Sequence, residues 1–212
     1  MKHSIIVALD EHNQEKFDDV LSQLDPGLCM VKIGSVSFNS LGRECVLKAA
    51  NKGFDVFLDL KLHDIPNTVK KSIDGLVNLP IKMMTVHASG GQRMLEESVV
   101  ATINTDIKIF GVTALTSLSD TDTNFIYKRE AKEQVLAMIK LARKSSIHGV
   151  VCSPQELSLV KNNSNLLTIL CQPCEPCQPC QPCRLCEPCL QSWPCWPCRI
   201  TSNHVHIFSR VS

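Results

Sequence analysis

The chain has 212 residues, 44% hydrophobic and 20% charged, which is enough for one domain with a sizeable core and excludes a wholly disordered chain or a disulfide-only miniprotein. Lys and Arg total 22 against 21 Asp and Glu, a net charge of +1 without the basic excess of a nucleic-acid or membrane-surface binder. No apolar run approaches the ~20 residues of a membrane span, and the run from Ser4 to Leu9 is too short for a signal-peptide core, so a soluble, cytoplasmic protein is expected.

Up to residue 170 the sequence alternates strand and helix signals, the pattern of a parallel-sheet α/β domain. Continuous apolar runs at 5–9, 29–33, 56–60, 83–86, 107–112 and 149–152 read as buried parallel strands, with 166–170 as a seventh. Between them, residues 131–144 carry Val135, Met138, Ile139 and Ala142 at spacings of three and four, the stripe of a helix lying on a sheet. Ser153, Pro154 and Glu156 supply a cap, a first-turn proline and a capping-box acid, so a helix is expected after the sixth strand. Such repeats fit a (β/α)8 barrel of the TIM type that is incomplete after strand 6 or 7, or an open doubly wound sheet. Asp10-Glu11-His12-Asn13 follows the first strand where a dinucleotide-binding sheet would carry glycines, so that fingerprint is absent.

The twelve cysteines divide the chain. Cys29, Cys45 and Cys152 read as buried small hydrophobes, whereas the others fall at every third position from Cys171 to Cys198, with Ser192 the one gap. Proline in nearly every triplet bars helix and central strand alike. The sequence therefore predicts a barrel domain over 1–170 and a low-complexity, disordered Cys/Pro tail over 171–212, with no element signal in 199–212. A barrel cut short in this way would leave its sheet edges open. Repeated Cys-x-x-Cys spacing also admits metal binding, but the overlapping triplets lack the turn and spacer of a folded zinc module. A repeat insertion or a shifted reading frame is the simpler source.

Residues 57–69, Phe-Leu-Asp-Leu-Lys-Leu-His-Asp-Ile-Pro-Asn-Thr-Val, carry the densest chemistry. Alternation along a strand puts Asp59 and Lys61 on one face and Leu58, Leu60 and Leu62 on the other. An ion pair within an apolar strand is costly to bury, and the carboxyl end of a parallel strand is where such sheets place their chemistry. A structural salt bridge is the plainer alternative. Lys32 and Asp10 repeat the placement at the ends of strands two and one, and Asp64 lies just past strand three. His63 and His87 read as structural or supporting histidines, and Gly90-Gly91 as a tight strand-to-helix turn.

The run Asp59-x-Lys61-x-x-Asp64-Ile65-Pro66-Asn67-Thr68, preceded by Val31-Lys32-Ile33-Gly34 and followed by Val86-His87-Ala88-Ser89-Gly90-Gly91, resembles orotidine 5′-phosphate decarboxylase. Ala8-Leu9-Asp10, Gly111 to Ser117 and Gly149 to Ser153 extend the likeness over about residues 4–170. The resemblance implies a charged catalytic array of Lys32, Asp59, Lys61 and Asp64, with Lys61 the proton donor. It implies substrate contacts from Asp10, Lys32, Asp59, Ile65, Thr68 and Thr116, no cofactor and no metal. It further implies a homodimer in which Asp64, Ile65 and Thr68 reach the neighbouring subunit's site. The family's phosphate-gripping loops after strands seven and eight have no counterpart, and Arg184, Arg199 and Arg210 stand outside its motif, so the phosphate-binding residues are unknown. The alternatives are a related sugar-phosphate decarboxylase or aldolase-like barrel that shares Asp-x-Lys-x-x-Asp and uses magnesium, and an inactive remnant with a metal-binding or interaction tail.

Overall fold

A computed structural model describes residues 5–115, 117–172 and 207–211. Seven strands, Ile5–Leu9 (β1), Cys29–Gly34 (β2), Val56–Leu62 (β3), Met83–His87 (β4), Lys108–Val112 (β5), Gly149–Cys152 (β6) and Leu167–Gln172 (β7), pair in parallel, each with its successor. Helices Gln14–Ser22 (α1), Ser35–Leu41 (α2), Glu44–Asn51 (α3), Pro66–Asp74 (α4), Gln92–Val100 (α5), Asp120–Tyr127 (α6), Ala131–Lys144 (α7) and Leu157–Asn163 (α8) lie between the strands in sequence.

The tail departs from the expectation of open sheet edges. Ile207–Val211 forms β8, antiparallel to β1 on one side and β7 on the other, so the order β1 to β8 closes into a barrel. Residues 199–212 gave no strand signal, yet a short segment can pair both free edges because each offers a row of unmet N–H and C=O groups. The barrel is thus incomplete in its parallel series, with an antiparallel strand where a (β/α)8 barrel has its eighth parallel one. β7 also runs two residues beyond 170. The Cys/Pro triplets from 173 on, with the disorder and metal binding weighed for them, lie outside the described residues.

Local signals account for the other elements. Asn13 caps α1, its side-chain oxygen accepting from the N–H groups of Glu15 and Lys16 at 2.8 and 3.2 Å. α7 spans the residues its stripe indicated and buries Val135, Met138, Ile139 and Ala142. After β6 the Glu156 carboxylate accepts from the Ser153 N–H at 3.0 Å, and a single 3-10 turn leads into α8. Cys29, Cys45 and Cys152 are buried, and burial pushes the Cys29 thiol up to about 11.

Strand alternation sorts the core into two parts. Val7, Leu9, Val31, Ile33, Val56, Leu58, Met84, Val86, Ile109 and Val150 pack outward with the helices. Ile6, Ala8, Met30, Phe57, Met83, Phe110, Val112, Val151 and Ile169 fill the barrel interior. Gly149 makes room for that filling, since a Cβ there would lie 2.4 Å from the Phe110 ring and 2.5 Å from the Leu167 carbonyl oxygen.

Candidate active site

Two residues along β1 to β4 from that apolar filling, the inward positions change character. Ala8 gives way to Asp10, Met30 to Lys32, Phe57 to Asp59 and Met83 to Thr85. These residues gather at the carboxyl ends of the strands. The Lys32 ammonium lies 3.2 Å from Asp59 Oδ2 and 3.6 Å from Asp10 Oδ2, and the Lys61 ammonium lies 2.7 Å from the same Asp59 oxygen. Asp59 and Lys32 are almost wholly buried, Asp10 is partly covered, and the Lys61 side chain remains 40% exposed. Charge therefore alternates from Asp10 through Lys32 and Asp59 to Lys61. The reading that put Asp59 and Lys61 on one face and three leucines on the other agrees with this arrangement, because Leu58, Leu60 and Leu62 pack into the outer core.

Burial acts to raise the Asp59 carboxyl. The charges of Lys32 and Lys61, with hydrogen bonds from Lys61 and Thr85, outweigh it and hold Asp59 below the usual carboxylate value. Asp59 is therefore an anion shared by two ammonium groups.

β3 is irregular at this point. Leu58 pairs with Met84 and Leu62 with Val86, so Asp59, Leu60 and Lys61 together face the single residue Thr85. Lys61 adopts φ 48°, a left-handed conformation that costs a non-glycine residue on the order of 1–3 kcal/mol. Both charged side chains of β3 stand within this irregular stretch. Thr85 is fully buried; its hydroxyl donates to Asp59 Oδ1 at 2.8 Å and accepts from the Lys61 N–H at 2.9 Å. Sequence reasoning passed over Thr85 because a β-branched residue in an apolar strand reads as a strand former. The one available signal was its place in the inward column between Met83 and His87.

Gly34, at the end of β2, leaves space for the array. A Cβ at this position would lie 2.7 Å from Asp10 Oδ1 and 3.3 Å from the Lys32 ammonium. At the mouth beside β4, the rings of His63 and His87 stack with centroids 5.1 Å apart. The Ser89 Oγ lies 2.6 Å from His87 Nδ1 and 3.4 Å from His63 Nε2. Burial, followed by the charges of His63 and Lys61, lowers the His87 pKa from its usual value.

Asp10, Lys32, Asp59 and Lys61 thus converge, whereas Asp64, Ile65 and Thr68 do not join them within one chain. All three are exposed around the start of α4, and Asp64 Oδ1 accepts from the Ile65 N–H at 2.6 Å. Thr116 lies outside the described residues, as do Arg184 and Arg199. The backbone of Arg210 pairs with Ile169 in β8. Among the described residues no group of three or more His, Cys, Asp or Glu side chains is placed to hold a metal ion, and no helix is long and apolar enough to cross a membrane.

Comparison with known proteins finds relatives over most of the chain. A decarboxylase of Actinobacillus succinogenes, named orotidine 5′-phosphate decarboxylase, is 41% identical over 167 residues, which cover 77% of this chain and 72% of that protein. The protein of the same name from Saccharophagus degradans is 44% identical over 160 residues, covering 74% and 67%. The crystal structure of orotidine 5′-phosphate decarboxylase from Lactobacillus acidophilus superposes with a TM-score of 0.71 at 36% identity, over 78% of this chain and 79% of that one. The sequence pattern of the orotidine 5′-phosphate decarboxylase / HUMPS family matches residues 3–178, and the chain belongs to that family.

Proposed function

We propose that this protein is a cytoplasmic orotidine 5′-phosphate decarboxylase that forms uridine 5′-phosphate for pyrimidine synthesis without a cofactor. The observation that carries this reading is the buried Lys32–Asp59–Lys61 array at the carboxyl ends of β2 and β3. In the proposed reaction the bond between the pyrimidine ring and its carboxylate breaks. Carbon dioxide leaves, and the electron pair stays on the ring carbon. The Lys61 ammonium stabilises that charge and delivers a proton to the carbon, forming the C–H bond; the resulting amine recovers its proton from water. Asp59 faces the departing carboxylate, and Lys32 keeps Asp59 ionised. Asp10 holds the ribose and Thr116 lies over the base.

The same reading makes the protein a homodimer with shared sites. Asp64, Ile65 and Thr68 would complete the neighbouring subunit's site, a role consistent with Ile65 leaving 66% of its surface exposed beside two exposed polar residues. No residue is assigned to the phosphate. Remote binding energy of that kind supports turnover as well as affinity, so a chain without the family's phosphate loops is expected to be slow.

The test is a spectroscopic decarboxylation assay on the purified full chain. Turnover is expected, with a loss of about 10⁴-fold in Lys61→Ala, the combined scale of a proton donor and an electrostatic stabiliser. A wild-type chain without turnover, or a Lys61→Ala chain with wild-type turnover, would overturn the proposal.

A further inference from the structure

We propose that Thr85 is the positioning residue of this site: its hydroxyl fixes the orientation of the Asp59 carboxylate and the left-handed backbone of Lys61 at once. The inference rests on the decarboxylase reading for its kinetic consequence, though not for its structural one.

Three observations meet at this side chain. Thr85 has 0% exposure, so its hydroxyl has no water to bond. Its proton is committed to Asp59 Oδ1 at 2.8 Å, which leaves Asp59 Oδ2 as the oxygen that meets Lys61 at 2.7 Å and Lys32 at 3.2 Å. Its oxygen accepts from the Lys61 N–H at 2.9 Å, at the residue whose φ of 48° departs from strand geometry. One hydroxyl therefore bonds the backbone of the bulge and the carboxylate that the bulge presents.

Without it, Asp59 Oδ1 would be a buried acceptor short of a partner, free to compete with Oδ2 for the two ammoniums. The Lys61 amide would lose the acceptor that offsets its strained conformation. The ammonium that protonates the ring carbon hangs from that backbone. A displacement of about 1 Å at a reacting group can cost about 100-fold in rate, so the position of the bulge matters to the chemical step. Thr85 touches no reacting atom in this account and acts through Asp59 and Lys61.

Thr85→Val removes the hydroxyl and keeps the shape, and Thr85→Ser keeps the hydroxyl and removes the methyl. Thr85→Val is expected to lower kcat by about 10- to 100-fold, the rate equivalent of one hydrogen bond to a charged group, with KM changed less than threefold or so. In a carbon-13 titration of the carboxyl groups, Asp59 should titrate at higher pH in Thr85→Val than in wild type. Thr85→Ser should return both readouts toward wild type. A Thr85→Val protein with wild-type kcat and an unmoved Asp59 titration overturns the proposal. So does a Thr85→Ser protein as impaired as Thr85→Val, because packing of the methyl would then be the cause. If the wild-type chain shows no turnover, the functional reading fails and the titration alone decides: a rise in Thr85→Val reversed in Thr85→Ser upholds the positioning role, and no rise overturns it. Should Thr85→Val fail to fold, Thr85→Cys replaces the strong donor with a weak one and is held to the same outcomes.

Discussion

The interior of this barrel is built twice on the same strands, and the two layers obey different physics. At one level Ala8, Met30, Phe57 and Met83 fill space, and their contribution comes from water exclusion and close packing. Two residues further along each strand stand Asp10, Lys32, Asp59 and Thr85, where burial is a cost met by pairing at 2.7–3.6 Å. The lower layer tolerates many apolar side chains of the right volume. The upper one depends on each partner's presence, and it supplies the strained backbone at Lys61. On the proposed function, one pleat of a strand separates the packing layer from the reacting one, and substitutions in the two layers should fail in different ways.

The largest contrast lies between two residues of β3. Lys61→Ala should remove activity on the scale given above while changing unfolding free energy by less than about 1–2 kcal/mol, since the side chain is 40% exposed and Asp59 keeps Lys32 and Thr85. Phe57→Ala, four positions earlier, should cost about 3–5 kcal/mol of stability by opening a cavity against Phe110, with centroids now 6.3 Å apart. Denaturant unfolding and turnover measured on both proteins check the pair. A Lys61→Ala chain that loses as much stability as Phe57→Ala would erase the distinction between layers.

Gly34→Ala probes the upper layer more gently. The new methyl would meet the Asp10 carboxylate at 2.7 Å, and the carboxylate can rotate away because it is the end of a side chain. Stability should therefore change little. With Asp10 assigned to the ribose, KM should rise by about tenfold with kcat nearly preserved. A fall in kcat at constant KM would place the disturbance at Lys32 instead.

Much of this layering could be read in the sequence, because a period of two assigns every residue of a regular strand to a face. The shared face of Asp59 and Lys61 follows from that rule, the limits of α7 from the 3.6-residue period of helices, and the starts of β1 to β4 from continuous apolar runs. What escaped was set by partners far along the chain. The bulge at Asp59 to Lys61 exists only relative to β4, so no pattern within residues 56–62 announces it. Thr85 gains its role from groups 24 and 26 positions away. β8 is five residues long, and its direction is decided by two edges contributed from the opposite end of the chain and from β7. Its pairing shows that 207–211 belongs with the barrel, although the triplets before it read as a tail.

The smallest expected effect compares the two ends of the barrel through their histidines. His87 ends β4 beside the charged layer, and His148 precedes β6 near the opposite end of the barrel, where its Nδ1 accepts from the Ile109 N–H at 3.1 Å. Burial lowers the pKa of each from the usual 6.5. The charges of His63 and Lys61 add to the effect at His87, and Lys108 adds to it at His148. A histidine whose folded value is depressed leaves the unfolded chain binding more protons below about pH 6.5, so its contribution is fully present above that pH and is lost as pH falls toward the folded value. Unfolding free energy should decline through this window by on the order of 1 kcal/mol per pH unit at most for the half-buried His87, and by less for the exposed His148. His87→Asn and His148→Asn should each flatten part of the decline. Lys61→Ala should flatten it as well, through His87 alone, because removing the neighbouring ammonium lets His87 titrate closer to its usual value. Equal slopes in wild type and Lys61→Ala between pH 5 and 7 would mean that the charged layer does not reach the end of β4.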